Sequence, residues 1–110
     1  MPSQPMLDRH CKPCPPGTPP LSAGQISEML KPLEGWSLKD KQIVRALSFT
    51  DFYETMGFVN AVAYIANRED HHPDMEVGYN KCTVRFSTHS VGGLSENDFI
   101  CAAKVNALLS

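Results

Sequence analysis

Proline sets the first limit on what this chain can become. Seven of its nine prolines lie in the first twenty residues, MPSQPMLDRHCKPCPPGTPP. Each fixes φ and removes a backbone donor, so neither a helix nor a sheet ladder can run through that stretch. Residues 1–20 therefore read as a proline-rich tail carrying a CxxC pair, and residues 21–110 as the folded domain. Inside the domain only Pro32 and Pro73 remain, each placed to stop a helix. A domain of this length is expected to build one core and to bury roughly two-thirds of the surface its unfolded chain exposes.

Between those prolines the apolar residues mark regular elements. Ser22 with Gln25 three residues on is a capping-box signature, and Ile26, Met29 and Leu30 then recur at helical spacing. After PLEGW, residues 36–38 and 43–47 have strand character, and KDK can join them as a hairpin. Thr50 is expected to cap a second helix whose positions Phe52, Met56, Val59, Val62 (or Ala63) and Ala66 share a face, ending near Pro73. Pro73 also pushes His72 out of the helical region. Residues 75–79 and 82–88 read as a second hairpin turning near YNK, with Cys82, Val84 and Phe86 alternating against Thr83, Arg85 and Ser87. The loop GGLSEND ends in another cap, Ser95 with Asp98, before a last helix bearing Phe99, Ile100, Ala103, Val105 and Leu108. Hairpins separated by helices, without β-α-β crossovers, predict an α+β fold in the order α-β-β-α-β-β-α: a four-stranded antiparallel sheet with three helices packed on one face. Such a sheet leaves edges that a second copy could cover, so self-association is expected.

Composition excludes several function classes. A net charge of -2 with no basic run argues against a nucleic-acid or anionic-membrane surface. The longest apolar run, residues 61–66, is too short to span a bilayer, and the N-terminus lacks the apolar region of a secretory signal, so a cytoplasmic protein is expected. In that compartment the four cysteines are expected as reduced thiols.

The chemistry concentrates in EDHHPDM, residues 69–75, and in STHS, residues 87–90. A hairpin over residues 75–88 would set Met75 across from Thr88 and bring His71, His72 and His89 to one end of the sheet, with Asp98 joining them if the last helix starts nearby. Imidazole takes and gives protons near neutral pH, so opposed imidazoles make an acid-base pair. Adjacent residues in extended chain point opposite ways, so His71 and His72 cannot both face one small ligand from the same side unless the backbone twists. Other readings use the same residues. Asp98 can be a helix cap alone, His71 a C-terminal cap, and three histidines a metal site. His10, Cys11 and Cys14 are half of a zinc site at best, with no second paired-ligand motif. No phosphate-cradling loop or nucleophile motif accompanies the histidines, which favours dehydration or tautomerisation over acyl or phosphoryl transfer.

The string HHPDMEVGYNKCTVRFSTHSVGGLSENDF, preceded by an amphipathic helix and by Gly35-Trp36, resembles the pterin-4a-carbinolamine dehydratase family over residues 21–109. The resemblance implies a saddle-like α+β dimer, sometimes a tetramer, that removes water from 4a-hydroxytetrahydropterin to give quinonoid dihydropterin and so recycles the pterin of aromatic amino acid hydroxylases. It implies no metal or dissociable cofactor, a reduced pterin as substrate, and an aromatic amino acid hydroxylase as a partner. Carried across, His71, His72 and His89 are the catalytic candidates and Asp98 orients an imidazole; Asp70, Ser87, Thr88 and Ser90 join the three histidines as pterin contacts. Two positions depart from the family pattern: Asn67 stands where the mammalian enzyme carries glutamate, leaving Glu69 as the nearest substitute, and Met75 stands where it carries tryptophan. The rival reading is a non-catalytic dimeric binding partner or regulator.

Overall fold

The computed structural model describes residues 5–109; residues 1–4 of the expected tail and Ser110 of the expected domain lie outside them. Along the chain come α1 (Ala23–Leu30), β1 (Ser37–Lys39), β2 (Gln42–Ser48), α2 (Phe52–Glu69), β3 (Asp74–Val77), β4 (Lys81–Phe86) and α3 (Glu96–Ala107), with single 3-10 turns at Met6–Asp8 and His89–Val91. The expected order of three helices and four strands is present. No helix among the described residues is long and apolar enough to cross a membrane.

Local chemistry explains the boundaries. The Ser22 hydroxyl accepts from the Gln25 backbone N–H at 3.2 Å while the Gln25 side chain takes the Ser22 N–H at 2.9 Å, closing the capping box of α1. At α2 the cap is Asp51, whose Oδ1 accepts from the Glu54 N–H at 2.9 Å, and not Thr50. Phe49 N–H is still bonded to the Asn80 carbonyl at 2.7 Å, so the chain is held extended one residue longer than the spacing suggested. The buried face of α2 is also rotated from the expected one: it consists of Thr55, Phe58, Val62 and Ala66, while Phe52 is exposed and Met56 and Val59 are half-buried. Thr55 tolerates complete burial because its hydroxyl lies 2.8 Å from the Asp51 carbonyl and 3.0 Å from that of Tyr79. A count of apolar residues passes over such a position.

The sheet has the order β1-β2-β4-β3, every neighbour antiparallel. The central pair β2 and β4 sets Ile43 against Phe86, and the outer pair sets Met75 against Val84 and Asp74 against Arg85. Met75 is thus not opposite Thr88 as expected. The turn is tight, with Val77 already paired to Cys82 and Gly78 N–H bonded to the Lys81 carbonyl at 2.8 Å, which shifts the whole register. β4 ends at Phe86, short of the expected end; Thr88 makes an isolated bridge to Gly93, and Gly92 closes the 3-10 turn with φ 69°.

Ile43, Cys82, Val84 and Phe86 from the sheet meet Phe58 and Val62 of α2 and Phe99, Ala102 and Val105 of α3 in one core, with Leu33 and Trp36 at one end. The expected alternation along β4 is present: Cys82, Val84 and Phe86 are buried, Thr83 and Arg85 half-buried. The proline-rich segment does not hang clear of this core. Arg9 Nη1 meets Glu96 at 2.6 Å, Lys104 Nζ donates to the Leu7 carbonyl at 2.7 Å, and Leu21 N–H donates to the Leu94 carbonyl at 2.9 Å. Proline forbids a ladder but not isolated bonds of this kind, so residues 5–20 form a strap along α3 where a tail was expected.

Asn106 knots three parts of the fold. Its Oδ1 accepts from the Trp36 indole at 2.8 Å and from Arg45 at 2.6 Å, while its amide donates to the Glu34 carbonyl at 3.1 Å. Gly35, at φ 87°, lies in the left-handed region where any side chain is strained, and a Cβ there would also have to displace the Arg45 guanidinium, 2.6 Å away. Asn106→Ala leaves the indole N–H unpaired and is expected to cost about 1–3 kcal/mol, read from the urea midpoint at constant slope.

Candidate active site

The corner is organised around a carboxyl group with no exposure to solvent. Asp98 lies in the first turn of α3 and is 0% exposed. A carboxyl group removed from water so completely is tolerable only if its oxygens are satisfied. Oδ2 accepts from the Ser95 backbone N–H at 2.9 Å, which is the capping bond read from the sequence, and from the Thr88 hydroxyl at 2.8 Å. Thr88 Oγ1 in turn accepts from Ser95 Oγ at 2.8 Å. The other oxygen, Oδ1, meets His71 Nε2 at 2.6 Å. Asp98 is therefore both a cap and an imidazole partner, one oxygen for each.

His71 reaches this position through the end of α2. Asp70 takes the left-handed conformation, φ 51°, and His71 N–H bonds back to the Ala66 carbonyl at 3.2 Å, so the chain leaves the helix with the His71 ring turned inward. The ring lies nearly parallel to Phe86, 6.0 Å between centroids and 9° between planes, and its side chain is 12% exposed. His72 goes the other way, as alternation requires: it is exposed, with Nε2 3.3 Å from Asn67 Oδ1. Asn67, the departure noted in the sequence, thus faces His72.

Two cavities meet at Thr88. A groove of about 740 Å³ is lined by Ser87, Thr88 and His89 together with Asp40, Lys41 and Gln42 of the β1–β2 turn and Gly92 and Gly93. A second, of about 440 Å³, is lined by Asp70, His71, Thr88 and Ser90, by Asn97, and by Cys11 to Cys14 of the strap. His71 and His89 come to the same end of the sheet but line different cavities, and His89 is exposed where His71 is not. The β1–β2 turn was expected as a hairpin connection but not as part of the site, because the pairing of β2 with β4 that brings it alongside depends on tertiary contacts.

Glu69 proves to have another use. Its side chain is 5% exposed; Oε1 accepts from the Cys11 N–H at 2.7 Å and Oε2 from His10 Nδ1 at 2.9 Å. Burial alone would raise its pKa, but these donors and nearby Lys104 outweigh it and hold the carboxyl below the usual glutamate value. Cys11 lies 3.5 Å from Cys101, sulfur to sulfur, and their mutual hydrogen bond and burial push the Cys11 thiol well up. No three His, Cys, Asp or Glu side chains among the described residues are grouped to hold a metal ion. His10 is directed to Glu69, Cys11 to Cys101 and the Asn97 carbonyl, and Cys14 to the Lys12 carbonyl and the Asn97 amide.

Comparison with known proteins matches this architecture. The family model described as pterin 4 alpha carbinolamine dehydratase fits residues 19–108. A protein of Nitrosomonas eutropha is 59% identical over 94% of this chain and 93% of its own, and one of Nitrosomonas europaea 58% identical over 94% and 92%; both are named as candidate pterin-4-alpha-carbinolamine dehydratases. Alignments of that span take in residues 9–14 of the strap, which the family model leaves out. The crystal structure of a transcriptional coactivator/pterin dehydratase from Brucella melitensis superposes with TM-score 0.80 at 35% identity, covering 83% of this chain and 99% of its own. The chain belongs to the pterin-4a-carbinolamine dehydratase family.

Proposed function

We propose that the protein dehydrates 4a-hydroxytetrahydropterin to quinonoid dihydropterin by histidine acid-base catalysis, recycling the pterin cofactor of aromatic amino acid hydroxylases. The observation that carries this reading is the bond from His71 to a wholly buried carboxyl group beside an open cavity. In the reaction the C4a–O bond breaks, the hydroxyl leaves as water after gaining a proton, and the lone pair of the adjacent ring nitrogen forms the new double bond as that nitrogen loses its proton. One group must give a proton and another must take one. Asp98 occupies Nε2 of His71, which leaves Nδ1 for exchange with substrate. His89, in the neighbouring groove across Thr88, is the second exchanging group. His72, turned outward beside Asn67, is the rim contact. Asp70, Ser87, Thr88 and Ser90 contact the pterin from the cavity walls.

The second reading, a non-catalytic partner or regulator working as a dimer or tetramer, is favoured by one feature. β1 and β3 pair on one side only among the described residues, and Phe52, Tyr53 and Tyr64 are exposed on α2. The Brucella relative's description as a coactivator accords with such a role. Full biological rescue by a His71→Ala, His89→Ala double variant would select this reading over catalysis.

Followed in a stopped-flow assay of carbinolamine decay, His71→Ala or His89→Ala is expected to slow turnover about 10²–10⁴-fold. Wild-type rates from the double variant would end the catalytic reading. Asp98→Asn, which keeps acceptor capacity but loses the charge, is expected to lower kcat about 10–100-fold.

A further inference from the structure

The strap touches the site at both of its anchor points. On the α2 side, Cys11 N–H and His10 are held by Glu69, two residues before His71. On the α3 side, Asn97, immediately before Asp98 and itself buried, clamps the backbone of Lys12 twice: its Oδ1 accepts from the Lys12 N–H at 3.0 Å and its amide donates to the Lys12 carbonyl at 2.7 Å. Cys11 sits between, its sulfur 3.6 Å from the Asn97 carbonyl and 3.5 Å from Cys101, whose own sulfur is 4.0 Å from the His71 carbonyl. The strap thus bridges the two chain segments whose relative position sets the His71–Asp98 bond. Cys11, Lys12, Pro13 and Cys14 also wall the cavity that His71 lines.

We infer that residues 10–14 are a positioning element of the active site: bolted to Glu69 and Asn97, they hold His71 and Asp98 at bonding distance and close one wall of the substrate cavity. The inference rests on the dehydratase reading above. A neutral Glu69 holds the strap less well, and the sign of its titration follows from its lowered pKa. The contribution is complete above the ordinary glutamate value and is lost as pH falls through the depressed folded value, that is, below about 4.5. Strap docking is therefore intact throughout the neutral range.

The experiment uses the full chain. Lys12→Pro removes the N–H that Asn97 accepts at an exposed position outside the core; Glu69→Ala removes the other bolt; Glu69→Gln keeps an acceptor for Cys11. The first two are expected to lower kcat about tenfold, the order of loss that a sub-ångström displacement of a catalytic group produces. KM for the pterin is expected to rise in both; the urea midpoint of Lys12→Pro stays close to that of the native chain, while Glu69→Ala, which removes a buried, hydrogen-bonded carboxylate, lowers it. Glu69→Gln is expected to recover most of kcat at neutral pH. Carbinolamine decay at native kcat and KM in both Lys12→Pro and Glu69→Ala, with His71→Ala inactive, would overturn the positioning role and leave the dehydratase reading standing. Native rates in His71→Ala as well would overturn the dehydratase reading itself.

Discussion

The buried carboxyl group of Asp98 is the constraint on which this corner depends. It draws one donor from the cap of α3, one from the chain leaving β4 and one from the chain leaving α2. Deprived of any of them, a charge or an unpaired oxygen would sit in a core that excludes water, at a cost of several kcal/mol. Three elements that meet nowhere else in sequence are thereby fixed to one another, and an imidazole is fixed with them. Stability and the placing of the imidazole draw here on the same bonds, so one residue both caps a helix and holds a ring.

Much of this was legible in the sequence because the signals were local. Caps at Ser22 and Ser95, the alternation of Cys82, Val84 and Phe86, and the stop before Pro73 each depend on a few neighbouring residues. What was misread depended on partners far along the chain. Thr50 lost the cap of α2 to Asp51 because Phe49 is tied to Asn80; Thr55 entered the core because Tyr79 supplies an acceptor; the register of β3 and β4 moved because the turn closes at Gly78. The histidines show the same division. Their gathering at one end of the sheet follows from a hairpin, whatever its register, whereas their division between two cavities follows from the 3-10 turn after Thr88 and from strand β2 arriving beside β4.

The proline-rich segment marks the plainest gap between composition and structure. Among the described residues the segment holds no α-helix or strand, only one 3-10 turn, but exclusion of ladders says nothing about docking by single bonds. The contacts that hold it, Glu69 to Cys11 and Asn97 to Lys12, pair side chains with backbone groups more than fifty residues away, a kind of bond without periodicity. Asn67 and Glu69 are instructive together: the amide faces His72, and the buried acid, the nearest substitute for a carboxylate at position 67, is committed to the strap.

Phe86 carries one last implication. It is 1% exposed, packs against Trp36 at 5.8 Å and lies beneath the His71 ring. The His71 ring therefore rests directly on a residue of the hydrophobic core. Any loosening of that interior would reach the imidazole and its bond to Asp98 as well as the packing.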